Sequence, residues 1–178
     1  TKKQEYVQNK INSNFYRTLL KEPKLNMYNG VLPRIYGVAP MRLIFWGVQE
    51  GAGNNRPYST GPEIQVLDNE KHPDGRILSH RAGSLYDMIQ ALPESVNPAG
   101  EWNTFDITID YKNNIGLVVL NDVTVVEFPV KGPEWDEMVS NSKFATWSAF
   151  AKTDTGKIGL QDHDDIVYYR NIKIKRLP

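Results

Sequence analysis

The sequence has no cysteine, no excess of charge of either sign and no long apolar segment. The absence of cysteine excludes disulfides, thiolate metal sites and a cysteine nucleophile. Lysine plus arginine equals aspartate plus glutamate at 21 each, so no basic surface is expected to attract nucleic acid or an anionic membrane. No apolar run approaches the roughly 20 residues that span a bilayer. We expect residues 1–178 to form a single domain with a sizeable core.

Alternation of apolar and polar residues predicts a strand-rich protein. Residues 104–111 alternate most clearly, and turns at 113–114 and 121–122 make residues 102–129 a three-stranded antiparallel meander. Residues 41–48 are almost all apolar, which predicts a strand buried on both faces. Further strands are predicted at 84–89, 157–161 and 166–174, and one short helix at 133–141. Many strands, one helix and no βαβ alternation favour an all-β sandwich of jelly-roll type.

A polar site is predicted beside the strand at residues 63–67. Ile64 and Val66 alternate with polar residues there, so the polar side chains face away from the core. The same alternation in residues 84–89 and 157–161 leaves further polar side chains on the open face. In chain order these are Glu63, Gln65, Tyr86, Gln161 and His163. Amide and titratable groups gathered on one sheet face suit a sugar ligand and indicate a functional site.

Three other polar residues need separate treatment. His72 follows the strand at 63–67 closely, whereas His80 lies in an apparent loop, and we expect no ligand contact from His80. Arg170 shares its parity with Ile172 and Ile174 in the strand predicted at 166–174. A regular strand would therefore point Arg170 towards the core, where it needs an ion-pair partner or a bulge that rotates it outwards.

Several short motifs follow one another in a fixed order along the chain. They are Gly-Pro-Glu-Ile-Gln-Val-Leu-Asp-Asn (61–69) with His72, Ala-Gly-Ser-Leu-Tyr-Asp (82–87), Gly-Glu-Trp-Asn (100–103), Ser-Lys-Phe (142–144), Gly-Leu-Gln-Asp-His (159–163) and Tyr-Arg-Asn-Ile (169–172). This ordered set resembles the 3-keto-disaccharide hydrolase domain family. The resemblance implies a concanavalin- or laminin-G-like sandwich in a periplasmic or secreted bacterial protein. It also implies action on glycosides already oxidised to a ketone at C3, and hence an upstream sugar 3-oxidoreductase as pathway partner. Homo-oligomerisation is left open.

The first third of the chain departs from the family pattern. Thr1-Lys2-Lys3 with Tyr6 is similar to a motif that follows the family's first strand, which predicts that this N-terminal strand is missing here. Residues 7–40 match the family poorly, so site residues supplied from that region cannot be predicted.

The chemistry of a 3-keto-glycoside assigns three roles. The ketone acidifies the proton on C2, so a base can form an enolate that expels the C1 substituent by β-elimination, after which water adds back. The site needs that base, a positive or donor group at O3, and an acid at the glycosidic oxygen. A divalent metal ion held by Glu63 and His163 could supply the second role as a Lewis acid; no other cofactor is predicted.

Glu63 and His163 are the predicted catalytic core. His72 and Tyr86 are further catalytic candidates: His72 could act as a base or metal ligand, and Tyr86 or a histidine could protonate the leaving group. The predicted substrate contacts are Gln65, Asp68, Trp102, Gln161 and Arg170, with Arg170 also placed to steady the enolate.

Two alternatives compete with elimination chemistry. Direct hydrolysis needs a second carboxylate about 5–5.5 or 6.5–9.5 Å from the first, but Glu63 has no acidic neighbour on its own face, and Asp68 and Asp162 alternate to the other side. A non-catalytic carbohydrate-binding module would present exposed aromatic platforms, whereas Trp46 and Trp135 are predicted to be buried. Titratable groups dominate the predicted open face, which favours an enzyme.

Overall fold

Two antiparallel sheets and one short helix make up the described part of the chain. The computed structural model describes residues 17–19, 25–27, 41–51, 54, 56–161 and 169–177. The strands are β1 (Arg17–Leu19), β2 (Leu25–Met27), β3 (Met41–Val48), β4 (Glu63–Leu67), β5 (Phe105–Asp110), β6 (Ile115–Leu120), β7 (Val123–Phe128), β8 (Lys157–Gln161) and β9 (Ile174–Lys175), and the helix is α1 (Pro133–Ser140). The prediction of an all-β sandwich with one short helix is confirmed.

The order of the strands brings distant parts of the chain together. One sheet has the order β1-β8-β3-β4, and the other has the order β7-β6-β5-β2-β9. Strands β1 and β2 lie in a region where sequence alternation predicted no strand. Among the described residues, no helix has the length and apolar character needed to cross a membrane.

A single hydrophobic cluster lies between the two sheets. Strands β3, β4 and β8 contribute alternate residues from one side, and β5, β6 and β7 contribute from the other. The Trp46 ring lies 5.8 Å from the ring of Phe128, which in turn lies 6.1 Å from Trp135 on the helix. Trp46 and Trp135 are therefore buried, as predicted.

Strand β3 is buried on both faces, as its apolar composition predicts. Ile44 and Trp46 enter the cluster between the sheets. Leu43, Phe45 and Val48 form a second cluster on the opposite face, covered in part by Tyr58. Because β3 lies between β8 and β4 in its sheet, its neighbours share that second face.

The meander is also confirmed. Strands β5, β6 and β7 pair in antiparallel succession. The two turns use left-handed backbone at Asn114, Asn121 and Asp122, with φ of 59°, 51° and 65°. Asparagine and aspartate tolerate this conformation better than most residues, which explains why they occupy these turns.

Two predicted strands are wrong in their extent. Residues 84–89 form only isolated bridges, in which Leu85 pairs with Ile64 and Ile89, and Asp87 has a φ of 61° that interrupts extended backbone. Of the strand predicted at 166–174, residues 166–168 lie outside the described residues, and only β9 is formed at its end. Asn171, with a φ of 55°, breaks the regular alternation before β9.

A glycine on β6 offers a direct test of the sheet packing. A Cβ at Gly116 would lie 2.2 Å from the Phe128 ring, whereas one at Gly159 on β8 would meet Phe45 and Pro57 at 3.4 Å. We expect Gly116→Ala to lower the free energy of unfolding by about 1–3 kcal/mol because the ring must move within a packed core. Gly159→Ala is the matched control and should cost less than about 1 kcal/mol. Equal denaturation midpoints for the two variants would contradict this packing.

Candidate active site

The predicted polar residues lie on the face of the β3–β4–β8 sheet that points away from the core between the two sheets. This face is called the open face below. Phe45 pairs with Glu63, and Leu43 pairs with Gln65 on one side and Gln161 on the other. Since paired residues share a face, these five side chains project away from the core that holds Ile64 and Leu160. The predicted orientation of Glu63, Gln65 and Gln161 is therefore present in the structure.

Polar atoms on this face are buried without partners. Glu63 is 3% exposed and Gln65 is fully buried. Within the described residues, Oε2 of Glu63, both amide atoms of Gln65 and Oε1 of Gln161 have no hydrogen-bond partner. Buried polar groups are rarely left unsatisfied, and in a protein each one costs about 1–3 kcal/mol. Such a concentration on one face indicates groups arranged for something other than stability.

Burial gives Glu63 unusual acid–base properties. Desolvation raises the pKa of its carboxyl from 4.5 to about 8. The positive charge of Lys143 opposes this shift, and the negative charge of Asp87 adds to it. A carboxyl group with a pKa near neutrality can accept and return a proton at neutral pH, as a general base must.

Tyr86 lies directly beside this carboxyl residue. Its backbone N–H donates to the carbonyl of Glu63 at 3.1 Å, and its hydroxyl donates to Oδ2 of Asp74 at 3.3 Å. The Nζ of Lys143 lies 3.9 Å from the centre of the Tyr86 ring. Burial raises the pKa of the Tyr86 hydroxyl, and the charges of Asp74 and Glu63 raise it further, so the hydroxyl keeps its proton.

His80 completes the cluster behind Tyr86. The two rings are stacked with centres 4.2 Å apart, and His80 Nε2 lies 2.9 Å from Oδ1 of Asp87. Oδ2 of Asp87 accepts a hydrogen bond from the backbone N–H of Lys143 at 2.7 Å. The cluster thus joins segments 74–87 and 143 to the strand that carries Glu63.

Sequence reasoning missed most of this cluster. Asp74, Asp87 and Lys143 were not among the predicted site residues, and His80 was expected to lie away from any ligand. Asp87 and Lys143 belong to family motifs noted above, so the motifs contained a signal that alternation could not use. Asp74 and His80 belong to two short 3₁₀ turns, Pro73–Arg76 and Leu78–His80.

Two predicted site residues serve local turns instead. His72 is the N-cap of the first 3₁₀ turn, and its Nδ1 accepts a hydrogen bond from the backbone of Asp74 at 3.1 Å. Oδ1 of Asp68 accepts from the backbone N–H groups of Glu70 and Lys71, each at 3.1 Å. Their positions after β4 are explained by turn formation. Oδ2 of Asp68 has no hydrogen-bond partner among the described residues, although Nζ of Lys71 lies 4.0 Å from it.

Arg170 corrects a second prediction. No strand forms at this position, so the parity argument fails and the side chain is exposed instead of pointing to the core. Its guanidinium lies 3.9 Å from the centre of the Trp102 ring, a cation–π contact. The two predicted substrate contacts therefore contact each other, but no described hydrogen bond, ion pair or ring contact links them to Glu63.

The predicted metal site is only half within the described residues. His163 and the neighbouring acidic residues lie outside them. Among the residues that the structure does describe, no three histidine, aspartate or glutamate side chains form a group able to hold a metal ion. Glu63, whose Oε2 is unpartnered, is the remaining candidate ligand.

Comparison with known proteins identifies the family. The model of the 3-keto-α-glucoside-1,2-lyase-like domain matches residues 42–175. The chain belongs to this family. The resemblance drawn from the sequence motifs is thereby confirmed, and the match begins at β3, after the N-terminal region that showed few family motifs.

Relatives of this lyase-like domain include a named enzyme. A protein of Bacteroides thetaiotaomicron called 3-keto-disaccharide hydrolase is 41% identical over 135 residues, and the match covers 67% of this chain. The chain spans only 45% of that relative's length.

Solved structures share the fold of the lyase-like domain. A candidate glycosyl hydrolase from Parabacteroides distasonis has a TM-score of 0.80 at 22% identity, covering 97% of this chain and 78% of its own. A second one from the same organism has a TM-score of 0.64 at 21% identity, covering 86% and 77%.

The buried carboxyl of Glu63 predicts how stability depends on pH. Its pKa is raised in the folded state, so this group destabilises folding as pH rises from 4.5 through about 8. We expect Glu63→Gln to raise the melting temperature relative to wild type at pH 9 and to change it much less at pH 5. The contribution of Glu63 to the free energy of unfolding should change between pH 5 and pH 9 by at most on the order of 4 kcal/mol, since one pKa unit corresponds to about 1.4 kcal/mol. Thermal unfolding at both pH values measures it.

Gln65→Ala is the control for that comparison, because it alters the same face without removing a titrating group. Its effect on the melting temperature should be the same at pH 5 and pH 9. A Glu63→Gln effect that is equally independent of pH would contradict the raised pKa of Glu63.

Proposed function

We propose that this lyase-like domain cleaves the glycosidic bond of 3-keto-disaccharides by removal of the C2 proton and β-elimination, followed by hydration. One observation carries the proposal: a buried carboxyl, Glu63, lies on the open sheet face with an unpartnered oxygen, beside the hydroxyl-bearing Tyr86 and the cation Lys143. The family match and the name of the relative that it resembles support the same substrate class.

Glu63 is the base in the first step. Its carboxylate takes the proton from C2, and the electron pair of that C–H bond forms the enolate, with negative charge on O3. A pKa of about 8 gives this carboxylate more basicity than an exposed one, which favours proton transfer from carbon. Collapse of the enolate restores the ketone, forms the C1–C2 double bond and breaks the bond from C1 to the leaving oxygen.

Lys143 is the group that stabilises the enolate. It is the nearby positive charge that acts on Glu63, and its Nζ lies against the Tyr86 ring. Negative charge that moves from the Glu63 carboxylate to O3 remains under the influence of the same cation. Arg170 was assigned this role from sequence, but its contact with Trp102 makes Lys143 the better candidate.

Tyr86 is the acid that protonates the leaving oxygen. Its proton moves to that oxygen as the C1–O bond breaks, and the electron pair of the bond stays with the leaving group. In hydration the phenolate takes a proton from water, the resulting hydroxide adds to C1, and protonated Glu63 returns its proton to C2. Both residues thereby regain their starting states, so no external acid or base is consumed.

The remaining predicted residues have different surroundings and different proposed roles. Gln161 is half-buried on the open face and is proposed to contact sugar hydroxyls. Gln65 is fully buried, and neither of its amide atoms has a hydrogen-bond partner among the described residues, so we keep it as a proposed substrate contact. Half-buried Trp102 and exposed Arg170 form a separate pair, which we propose receives a distant part of the substrate. His163 keeps its proposed catalytic role.

The proposed substrate constrains the cellular setting. A free 3-keto-disaccharide must be produced by oxidation of the C3 hydroxyl, so we propose an upstream sugar 3-oxidoreductase in the same pathway. We place the domain in the periplasm or outside the cell, in keeping with the family resemblance. Immunodetection in periplasmic and cytoplasmic fractions tests this placement.

Incubation with a 3-keto-disaccharide in deuterated water tests the mechanism. NMR should show deuterium at C2 of the released 3-keto sugar, because the proton on the Glu63 carboxyl exchanges with solvent before it is returned to C2. Glu63→Gln should lose about 10²–10⁴-fold in release, together with incorporation at C2, whereas Glu137→Gln on exposed α1 should retain both. Release without deuterium would point to direct hydrolysis. Binding of an unmodified glycan with no cleavage of any keto sugar would favour a carbohydrate-binding module.

Substitution of Lys143 tests the enolate-stabilising group. Lys143→Met should lower kcat by about 10²–10³-fold, the loss typical of removing one stabilising donor, with Lys131→Met as the exposed control. A metal ion held by Glu63 and His163 is the rival source of positive charge at O3. Loss of activity with a chelator, restoration by added Mn²⁺ and an active Lys143→Met variant would together assign the role to the metal.

A further inference from the structure

His80 is buried in the candidate site but is separate from the open face. His80 is only 7% exposed. Its ring stacks on Tyr86, and its two nitrogens lie near the carboxylates of Asp87 and Asp74. The mechanism above gives this histidine no task. A buried imidazole between two carboxylates is nevertheless costly to place in a core, so its contacts need an explanation.

Each contact of His80 acts on Tyr86 or on the partner of Tyr86. The imidazole stacks on the Tyr86 ring, with centres 4.2 Å apart and planes inclined by 29°. On one side, Nε2 is anchored to Asp87 at 2.9 Å. On the other side, Nδ1 lies 3.5 Å from Oδ2 of Asp74, the same oxygen that accepts the Tyr86 hydroxyl.

Nδ1 of His80 lies near Oδ2 of Asp74 without forming a hydrogen bond to it. Among the described residues, Nδ1 of His80 has no hydrogen-bond partner. The hydrogen bond from the Tyr86 hydroxyl to Oδ2 of Asp74 is also long, at 3.3 Å. Loose contacts of this kind in a free enzyme often tighten in the complex with substrate. If both ring nitrogens of His80 carry a proton, Nδ1 can donate to Oδ2 of Asp74 while Nε2 donates to Asp87, and the Tyr86 hydroxyl is then released to turn towards the substrate.

We propose that His80 is the positioning residue for Tyr86 and that it acts at the protonation of the leaving group. This inference rests on the proposed function. The stacked ring fixes the plane of Tyr86, and the Asp87 anchor fixes the stacked ring. Competition for Asp74 directs the Tyr86 proton to the glycosidic oxygen as the C1–O bond breaks, and the phenolate regains a proton from the water that adds to C1.

The role predicts an effect that depends on the leaving group. A sugar alkoxide is a poor leaving group and needs the proton of Tyr86, whereas 4-nitrophenolate departs without it. Loss of His80 should therefore slow cleavage of a 3-keto-disaccharide and have little effect on a 4-nitrophenyl 3-keto-glucoside. A residue that only maintained the fold would affect both substrates equally.

The experiment compares His80→Ala with wild type on these two substrates. We expect kcat for the disaccharide to fall by about 10–100-fold, part of the 10²–10⁴-fold that general acids supply, and kcat for the nitrophenyl substrate to stay within about threefold. Tyr86→Phe should show the same selectivity, and His80→Ala should add little in that background, because residues acting as a unit are not additive.

Two further variants separate the contacts and protect against a folding defect. His80→Phe retains the stack on Tyr86 and loses the bond to Asp87, whereas His80→Gln retains a donor and loses the stack. Each should show a smaller selective loss than His80→Ala. Equal losses on both substrates, or no loss on either, in the variants that melt as wild type does would overturn the inference. Wild-type protein inactive on both substrates would instead overturn the proposed function, and this inference with it.

Discussion

The pairing of β4 with β3 is the constraint on which the candidate site depends. Strand β3 is apolar on both faces, so one of its faces has to be covered by something other than the core between the sheets. The register that places Ile64 against Ile44 in the core also places Glu63 beside Phe45. A slip of one residue would exchange the two faces and remove the carboxyl from the site. The same apolar neighbours that stabilise the sheet therefore desolvate the carboxyl of Glu63.

Desolvation alone would keep Glu63 protonated at neutral pH, where it could not accept a proton. Its use as a base requires a charge nearby that favours the carboxylate without pairing with it, and Lys143 meets this need from an exposed position. Asp87 connects the parts, since it binds the backbone of Lys143 and the ring of His80. The arrangement is costly to stability, and such costs concentrate at functional sites.

Strand alternation predicted which way side chains face but not which loops meet. The orientations of Glu63, Gln65 and Gln161 followed from period two, because burial on one face leaves little freedom in register. The orientation of Tyr86 was also correct, although residues 84–89 form no regular strand. Asp74, His80 and Asp87 come together through two 3₁₀ turns and a left-handed residue, geometry that periodicity does not encode. Arg170 was misplaced because regular pairing resumes only at β9.

The strand pairs differ in how far apart their two strands lie along the chain, and this affects how the domain folds. Strands β5, β6 and β7 are joined by short turns, so their contacts are local and can form early. The sheet that holds the candidate site pairs β3 with β8, which begins 109 residues after Val48 ends β3. Closing so long a loop is slow relative to forming hairpins. A nascent or partly folded chain can therefore contain a native meander before it contains the candidate site, and formation of that site becomes a late marker of folding.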